Sequence, residues 1–400
     1  TITTKGSMSD YSFDGTVLGQ HATVSDPVSG DQTWEKVVSK NLGLDLNMFN
    51  NRLSLTTDFY IRDTKGILGK GKSLPSIYGA SEPQMNANNL RTKGYELVLG
   101  WRDSFKLAGS TFSYGITGTF SDYTAEYTKC DNPTGLIGDP YVGKKYGEIW
   151  GYKVDGLFRN DKEAAEYASR IDLSTVASGY YTATGAYGKG VRGGDIKYLD
   201  LNGDNIVNGG KGTLDDPGDR RVIGNSSPRY QYGASLNFSW YGFDVSVFMQ
   251  GIGRLDWYPG ADNLRFWGPY SRPYATFIPK NFMSQVWSEE NPDAYFPRAR
   301  AYTSLNSNSG TAYYTNDRYL QNLAYCRLKN LTIGYTIPRR LTSKVGIKEC
   351  RIYFSGENLA TWSALKSDFL DPEQAAADSD KKANVYPWCK TYSIGLNLTF

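Results

Sequence analysis

Apolar residues recur at every second position along nine separate stretches of this chain, and the residues between them are small and neutral more often than charged. Leu42, Leu44, Leu46 and Met48 alternate with Gly43, Asp45 and Asn47, and Leu53, Leu55, Thr57 and Phe59 resume after Asn50-Asn51. Tyr95, Leu97, Leu99 and Trp101 follow, then Phe112, Tyr114, Ile116, Gly118 and Phe120. Tyr232, Ala234, Leu236, Phe238 and Trp240 lead through Tyr241-Gly242 to Phe243, Val245, Val247 and Met249. Further strands read at about 322–336, 349–361 and 388–400, the last carrying Tyr392, Ile394, Leu396, Leu398 and Phe400. A period of two is that of a β-strand whose faces meet different surroundings.

The second face decides which surroundings. A soluble sandwich usually turns Lys and Glu to water, whereas Gly, Ser, Thr and Asn dominate here. An apolar, aromatic face opposite a small polar one suits a barrel with lipid outside and a wet or plugged lumen. The connections support this, running short (50–51), long (63–92), short (103–109), very long (128–228), short (241–242), very long (254–321), medium (338–348) and long (362–387). Up-and-down membrane barrels alternate tight turns with large extracellular loops in this way. The expected class is therefore all-β, a transmembrane antiparallel up-and-down β-barrel.

Composition agrees. Tyr (31), Trp (9), Phe (17) and Gly (43) favour strands and ordered loops. No run approaches the eighteen or so apolar residues of a membrane-spanning helix. Lys and Arg number 44 against 41 Asp and Glu, a net charge of +3, too small to make nucleic acid the main partner. The opening Thr1-Ile2-Thr3-Thr4-Lys5 lacks a signal peptide's apolar core, so an export signal is expected outside this sequence. His21 is the sole histidine, which leaves little room for imidazole catalysis or metal binding. Cys130, Cys326, Cys350 and Cys389 form no CxxC pair; Cys350 and Cys389 fall in neighbouring expected strands and could pair, or all four are isolated thiols.

Two further strands are expected within 128–228, around 149–158 and 194–201. Residues 1–33 read as a loop-like lead-in, and the first strand starts from the long-loop side. Together these point to the C-terminal part of a larger barrel, 34–400, whose beginning is missing.

Several motifs carry a family resemblance. Trp34-Glu35-Lys36, Asn41-Leu42-Gly43-Leu44-Asp45 and Phe49-Asn50-Asn51-Arg52-Leu53 resemble the barrel of SusC-like TonB-dependent outer-membrane transporters. So do the stretch Tyr146 to Phe158 (YGEIWGYKVDGLF), Gly194 to Asp204 (GDIKYLDLNGD), Arg327 to Pro338 (RLKNLTIGYTIP) and Ser355-Gly356-Glu357-Asn358-Leu359. The resemblance implies a barrel of about 22 strands, with an N-terminal plug and a TonB-contacting segment outside this sequence. It also implies import of an oligosaccharide or peptide, a SusD-like surface lipoprotein as partner, the outer membrane of a Gram-negative bacterium as location, and no enzymatic activity.

Three candidate sites emerge. Asp200, Asn202, Asp204 and Ile206 have the spacing of the first half of a calcium loop, which needs about six to eight oxygens. Lys211 occupies the twelfth position, where a Glu is usual, while Asp215, Asp216 and Asp219 could complete the shell. The alternative is a loop of Asx turns held by its own hydrogen bonds. The stretch 254–321 is dense in aromatics, and Trp257, Arg265 and Trp267 are its candidate ligand contacts, against a reading in which the loop builds its own core. Phe400 resembles the terminal aromatic by which outer-membrane barrels are recognised for assembly. Residues 162–167 read as a short surface helix. No catalytic constellation converges, although a secreted all-β carbohydrate-binding or hydrolytic protein is the competing class.

Overall fold

The computed structural model describes the chain apart from residues 1, 6–20, 25–28, 31, 71–82, 183–189, 272–277, 279, 301–304, 306–309, 368 and 378–385. Nine strands form one antiparallel sheet: β1 (Lys36–Met48), β2 (Leu53–Lys70), β3 (Gln84–Leu107), β4 (Ser110–Lys129), β5 (Arg229–Trp240), β6 (Phe243–Arg254), β7 (Tyr325–Thr336), β8 (Glu349–Ser363) and β9 (Thr391–Thr399). Each strand pairs with its sequence neighbours, so the order is β1 through β9 without a crossover. The nine expected strands are these nine.

The register sorts the side chains by chemistry. Ile116, Leu236, Val247, Leu331, Gly356 and Tyr392 lie in one cross-strand row, and Tyr114, Phe238, Val245, Ile333, Phe354 and Ile394 in the next on the same face. Between them, on the opposite face, runs Gly115, Asn237, Ser246, Thr332, Ser355 and Ser393. The apolar rows are open: Ile116 is 47% exposed, Ile352 47% and Ile394 84%. Aromatic rings crowd this face near the tight turns, with Phe105 5.3 Å from Phe112 and Phe243 4.6 Å from Tyr335.

Tight turns link alternate pairs. Ala108-Gly109 and Tyr241-Gly242 both hold two successive residues at positive φ (48° and 84°; 48° and 85°), the primed geometry that matches strand twist. The β1–β2 turn holds three such residues, Phe49, Asn50 and Asn51 at 54°, 57° and 61°, two of them Asn, which tolerates left-handed backbone. The expected short connection at 103–109 shrinks to Ala108-Gly109, because Phe105 and Leu107 continue β3. The expected loop at 63–92 also contracts, with β2 reaching Lys70 and β3 starting at Gln84.

The two extra strands expected within 128–228 form but do not join the sheet. Glu148–Tyr152 pairs with Arg220–Asn225, and Val154–Leu157 pairs with Ile196–Tyr198, as separate two-stranded ribbons. The lead-in read as loop-like contains the antiparallel pair Ile2–Lys5 and His21–Val24, built on β-branched Ile2, Thr3, Thr4, Thr23 and Val24. All four cysteines are free, because β8 and β9 set Cys350 opposite Leu398 while Cys389 precedes β9.

The chain divides into two compact units. In the first (1–40, 60–93 and 124–145), Asn86 clasps the Thr33 backbone in both directions at 2.7 and 2.9 Å, and Arg91 grips Asp63 through two hydrogen bonds at 2.7 and 3.1 Å. The second unit (41–59, 94–123 and 146–400) holds the dry core. Not one member of that core lies on the nine strands; it is assembled from Tyr152–Val207, Leu255–Leu323, Leu370 and Ala375.

Candidate functional site

The long connections fold on one another around large aromatic residues. Trp267, Tyr180, Tyr198, Tyr319, Phe158 and Leu173 are almost wholly buried. Buried phenols cost free energy unless paired, and these are paired with loop backbone. Tyr198 donates to the Thr311 carbonyl, Tyr258 to Ala312 O at 3.0 Å, Tyr270 to Pro297 O at 2.5 Å and Tyr319 to Tyr295 O at 3.1 Å. Asn316 is the hub: its amide donates to the Tyr258 hydroxyl (3.0 Å) and the Tyr314 carbonyl (2.8 Å), and its side-chain oxygen accepts from Tyr319 N at 3.1 Å.

Ion pairs tie this assembly. Arg300 donates to Asp195 at 2.6 Å with both side chains buried, and burial pushes the Asp195 carboxyl up to about 6 despite that cation. Arg327 on β7 reaches Asp371 and Glu373, each at 2.7 Å, while Lys329 meets Glu373 at 2.8 Å. The helix Asp161–Ala168 belongs to the same core rather than to the surface alone. Asn160 caps it by accepting from Glu163 N at 2.9 Å, Glu163 accepts from Arg159 N at 2.7 Å, and Ala164 is fully buried.

The structure separates the three proposed ligand contacts. Trp267 packs against Phe266, Tyr319 and Phe296 and donates its indole N–H to Gly260 O at 3.0 Å. Trp257 is 5% exposed in the ribbon Asp256–Trp257 with Gln321–Asn322. Both indoles are buried, the Trp257 N–H without a protein partner, whereas Arg265 is exposed on the turn Leu264–Trp267. Of the other aromatics in that stretch, Tyr274, Phe277 and Tyr302 lie outside the described residues.

A different set of rings borders open space. Trp150, Tyr152, Lys211, Arg220, Tyr313 and Tyr314 line a cleft of about 440 Å³. The Trp150 N–H is buried with no protein partner, and Arg220 uses Nη2 on Gly209 O at 2.8 Å while its Nε has no partner. Gly151 lets the Thr315 backbone approach, since a Cβ there would sit 2.6 Å from the Thr315 carbonyl oxygen. Burial raises the Tyr152 phenol to about 12, so it is a neutral donor at physiological pH. Ring faces beside two cations can stack on a flat or cyclic ligand while gripping its hydroxyl or carboxylate oxygens. Trp150 was visible in the sequence only as part of a family motif.

The calcium-like loop is a chain of Asx turns. Asp200 accepts from Gly203 N (2.7 Å) and Asn205 N (2.9 Å), Asn202 from Asp204 N (3.1 Å), and Asp204 from Ile206 N (2.8 Å). Asn205 takes the left-handed conformation at φ 65°, where a calcium loop has glycine. Buried Asp219 closes the loop by accepting from Leu201 N and Asn208 N, at 2.7 and 2.9 Å. Among the described residues no three His, Cys, Asp or Glu side chains gather as a metal cluster. Phe400, 72% exposed, follows the end of β9.

A second hollow, about 950 Å³, opens on the polar face of the sheet beside the tight turns. It is lined by Asn51, Arg52, Arg102, Asp103, Asn237, Asp244 and their neighbours, with Arg52 on Asp103 at 3.2 Å and Arg351 on Asp244 at 2.5 Å.

Comparison with known proteins places this geometry. TonB-dependent receptor P3 of Formosa agariphila is 25% identical over 98% of this chain, and TonB-dependent receptor SusC of Bacteroides thetaiotaomicron is 22% identical over 92%. The chain spans about a third of these relatives, 36% and 32% of their lengths. A solved structure of the RagAB peptide transporter superposes with a TM-score of 0.67 at 20% identity, covering all of this chain and 38% of that one. No family model matches the sequence. The chain is thus similar in sequence to TonB-dependent receptors, SusC among them, across almost its whole length, and it shares the antiparallel barrel fold of the RagAB structure.

Proposed function

We propose that this chain forms wall and extracellular loops of a TonB-dependent importer in the outer membrane of a Gram-negative bacterium. The observation that carries the reading is the inverted distribution of apolar side chains: continuous oily rows open on the sheet, a dry core confined to the loops. Water would penalise such rows at roughly 25 cal/mol per Å², whereas hydrocarbon accepts them and demands a fully hydrogen-bonded backbone. The protein imports a nutrient rather than transforming it. Its cargo is an oligosaccharide or a peptide, met by Trp150, Tyr313 and Arg220 at the loop cleft. A SusD-like lipoprotein covers the loops, and the contact to TonB is made by a part of the protein outside this chain.

The test is made on the whole protein from its native outer membrane. Detergent-dependent extraction, heat-modifiable migration on SDS gels and a co-purifying surface lipoprotein are the expected results. Solubility as a monomer without detergent would refute the reading. Calorimetric titration with oligosaccharide and peptide mixtures then chooses the cargo, and W150A with Y313A should remove the binding.

A further inference from the structure

The turn between β7 and β8 differs from its counterparts. The connections 49–52, Ala108-Gly109 and Tyr241-Gly242 are short and hold one charge, Arg52, which pairs with Asp103 at 3.2 Å, whereas residues 338–348 carry Arg339, Arg340, Lys344 and Lys348 with no carboxylate among them. A helical turn at Arg339–Thr342 runs into a 3₁₀ turn at Ser343–Val345 and ends at Gly346 with φ 76°. Thr342 is buried, and its backbone carbonyl closes the turn by accepting from Ile347 N at 3.2 Å. Lys348 N donates to Thr399 O at 2.7 Å, fixing the turn to the end of β9.

What this element presents is amphipathic. Leu341 and Val345, four residues apart, are 53% and 71% exposed, and Arg340 and Lys344 repeat the same spacing one step back. All four cations are exposed, and none takes part in the ion pairs formed among the described residues. The turn follows directly on Tyr335, whose ring packs with Phe243 in the aromatic zone of the apolar face.

We propose that this turn binds an anionic glycerophospholipid of the leaflet at the short-turn end of the sheet. The basic side chains take the phosphate and the negative headgroup, while Leu341 and Val345 enter the glycerol and upper acyl region. Charge complementarity and position select this occupant. Four unpaired cations call for an anion, and two isolated aliphatic side chains beside a lipid-facing aromatic zone are too little surface for a stable protein interface of about 1,000 Å². The inference rests on the membrane reading given above.

The test uses the whole protein in detergent, with native mass spectrometry counting retained phosphatidylglycerol against phosphatidylcholine. Wild type should keep phosphatidylglycerol selectively, and soluble glycerol 3-phosphate at equal concentration should not displace it. R339Q/R340Q/K344Q/K348Q should lower retention roughly tenfold or more, and L341S/V345S should lower it several-fold with the charges intact. Equal retention by the charge variant, displacement by glycerol 3-phosphate, or a protein held in place of lipid would overturn the proposal. Heat-modifiable migration, recorded for every variant, separates the outcomes. Its loss in wild type condemns the membrane reading, whereas unchanged lipid retention in a variant that keeps it condemns this inference alone.

Discussion

Arg327 Nη2 donates to Asp371 Oδ2 at 2.7 Å across 44 residues of sequence, joining a wall strand to the loop between β8 and β9. The same guanidinium reaches Glu373 through Nη1 and the Thr361 hydroxyl through Nε, at 2.7 and 2.9 Å. Arg327 is 2% exposed and the Asp371 side chain 7%, so that carboxylate has little water to turn to. R327A should cost about 3–5 kcal/mol of local stability by leaving the Asp371 carboxylate without its cation, while Glu373 keeps Lys329. Limited proteolysis should then cut within 364–390 while the sheet stays intact; unchanged protection there would refute the anchoring role.

Which face meets hydrocarbon can be read from one pair of neighbours. Val247 belongs to the apolar row with Leu236 and Leu331, and Ser246 to the polar row with Asn237 and Thr332. V247K should destabilise the folded protein by about 2–4 kcal/mol in lipid, and S246K by much less. Urea unfolding in vesicles measures both, and equal effects would erase the distinction between the faces.

Trp267 is fully buried among aromatic rings. W267A should cost the loop assembly about 3–5 kcal/mol. Hydrogen exchange should quicken at Tyr258, Tyr319 and Leu323 while β5 and β6 keep their protection. A loss of ligand affinity without any change in exchange would restore the binding role first assigned to this side chain.

Asp195 introduces a pH dependence with an unusual sign. Burial raises its folded value to about 6, above the unfolded value of about 4, so the folded loops bind the proton more tightly. The resulting stabilisation is complete below about pH 4 and is lost as pH rises through about 6. Resistance of the loops to proteolysis should therefore increase between pH 7 and pH 5 from this group, and D195N should flatten that change. A wild-type response identical to that of D195N would remove the assignment.

The sheet was legible because a strand repeats every two residues and its two environments differ, so Leu236, Phe238, Val245 and Val247 announced both structure and face. Strand ends were less clear. Polar residues such as Asp63, Asn88 and Arg91 read as loop, yet they continue β2 and β3, because a strand beyond the apolar stretch keeps its hydrogen bonds without keeping its oily side chains. The loops had no such code. Whether an aromatic is buried depends on contacts like Tyr198 to Thr311, 113 residues apart, which no local pattern records. Trp257 and Trp267 thus read like Trp150 and Tyr313, although only the latter pair borders the cleft.

The outer margins of β1 and β9 carry one further consequence. β1 is exposed along all 13 of its residues, β9 along all but one, and neither has a strand on its far side among the described residues. Oil offers no donor or acceptor to a row of idle peptide groups. More staves must therefore abut these two rims before the slab can sit in a bilayer, and a slab made alone would zip rim to rim with its own copies.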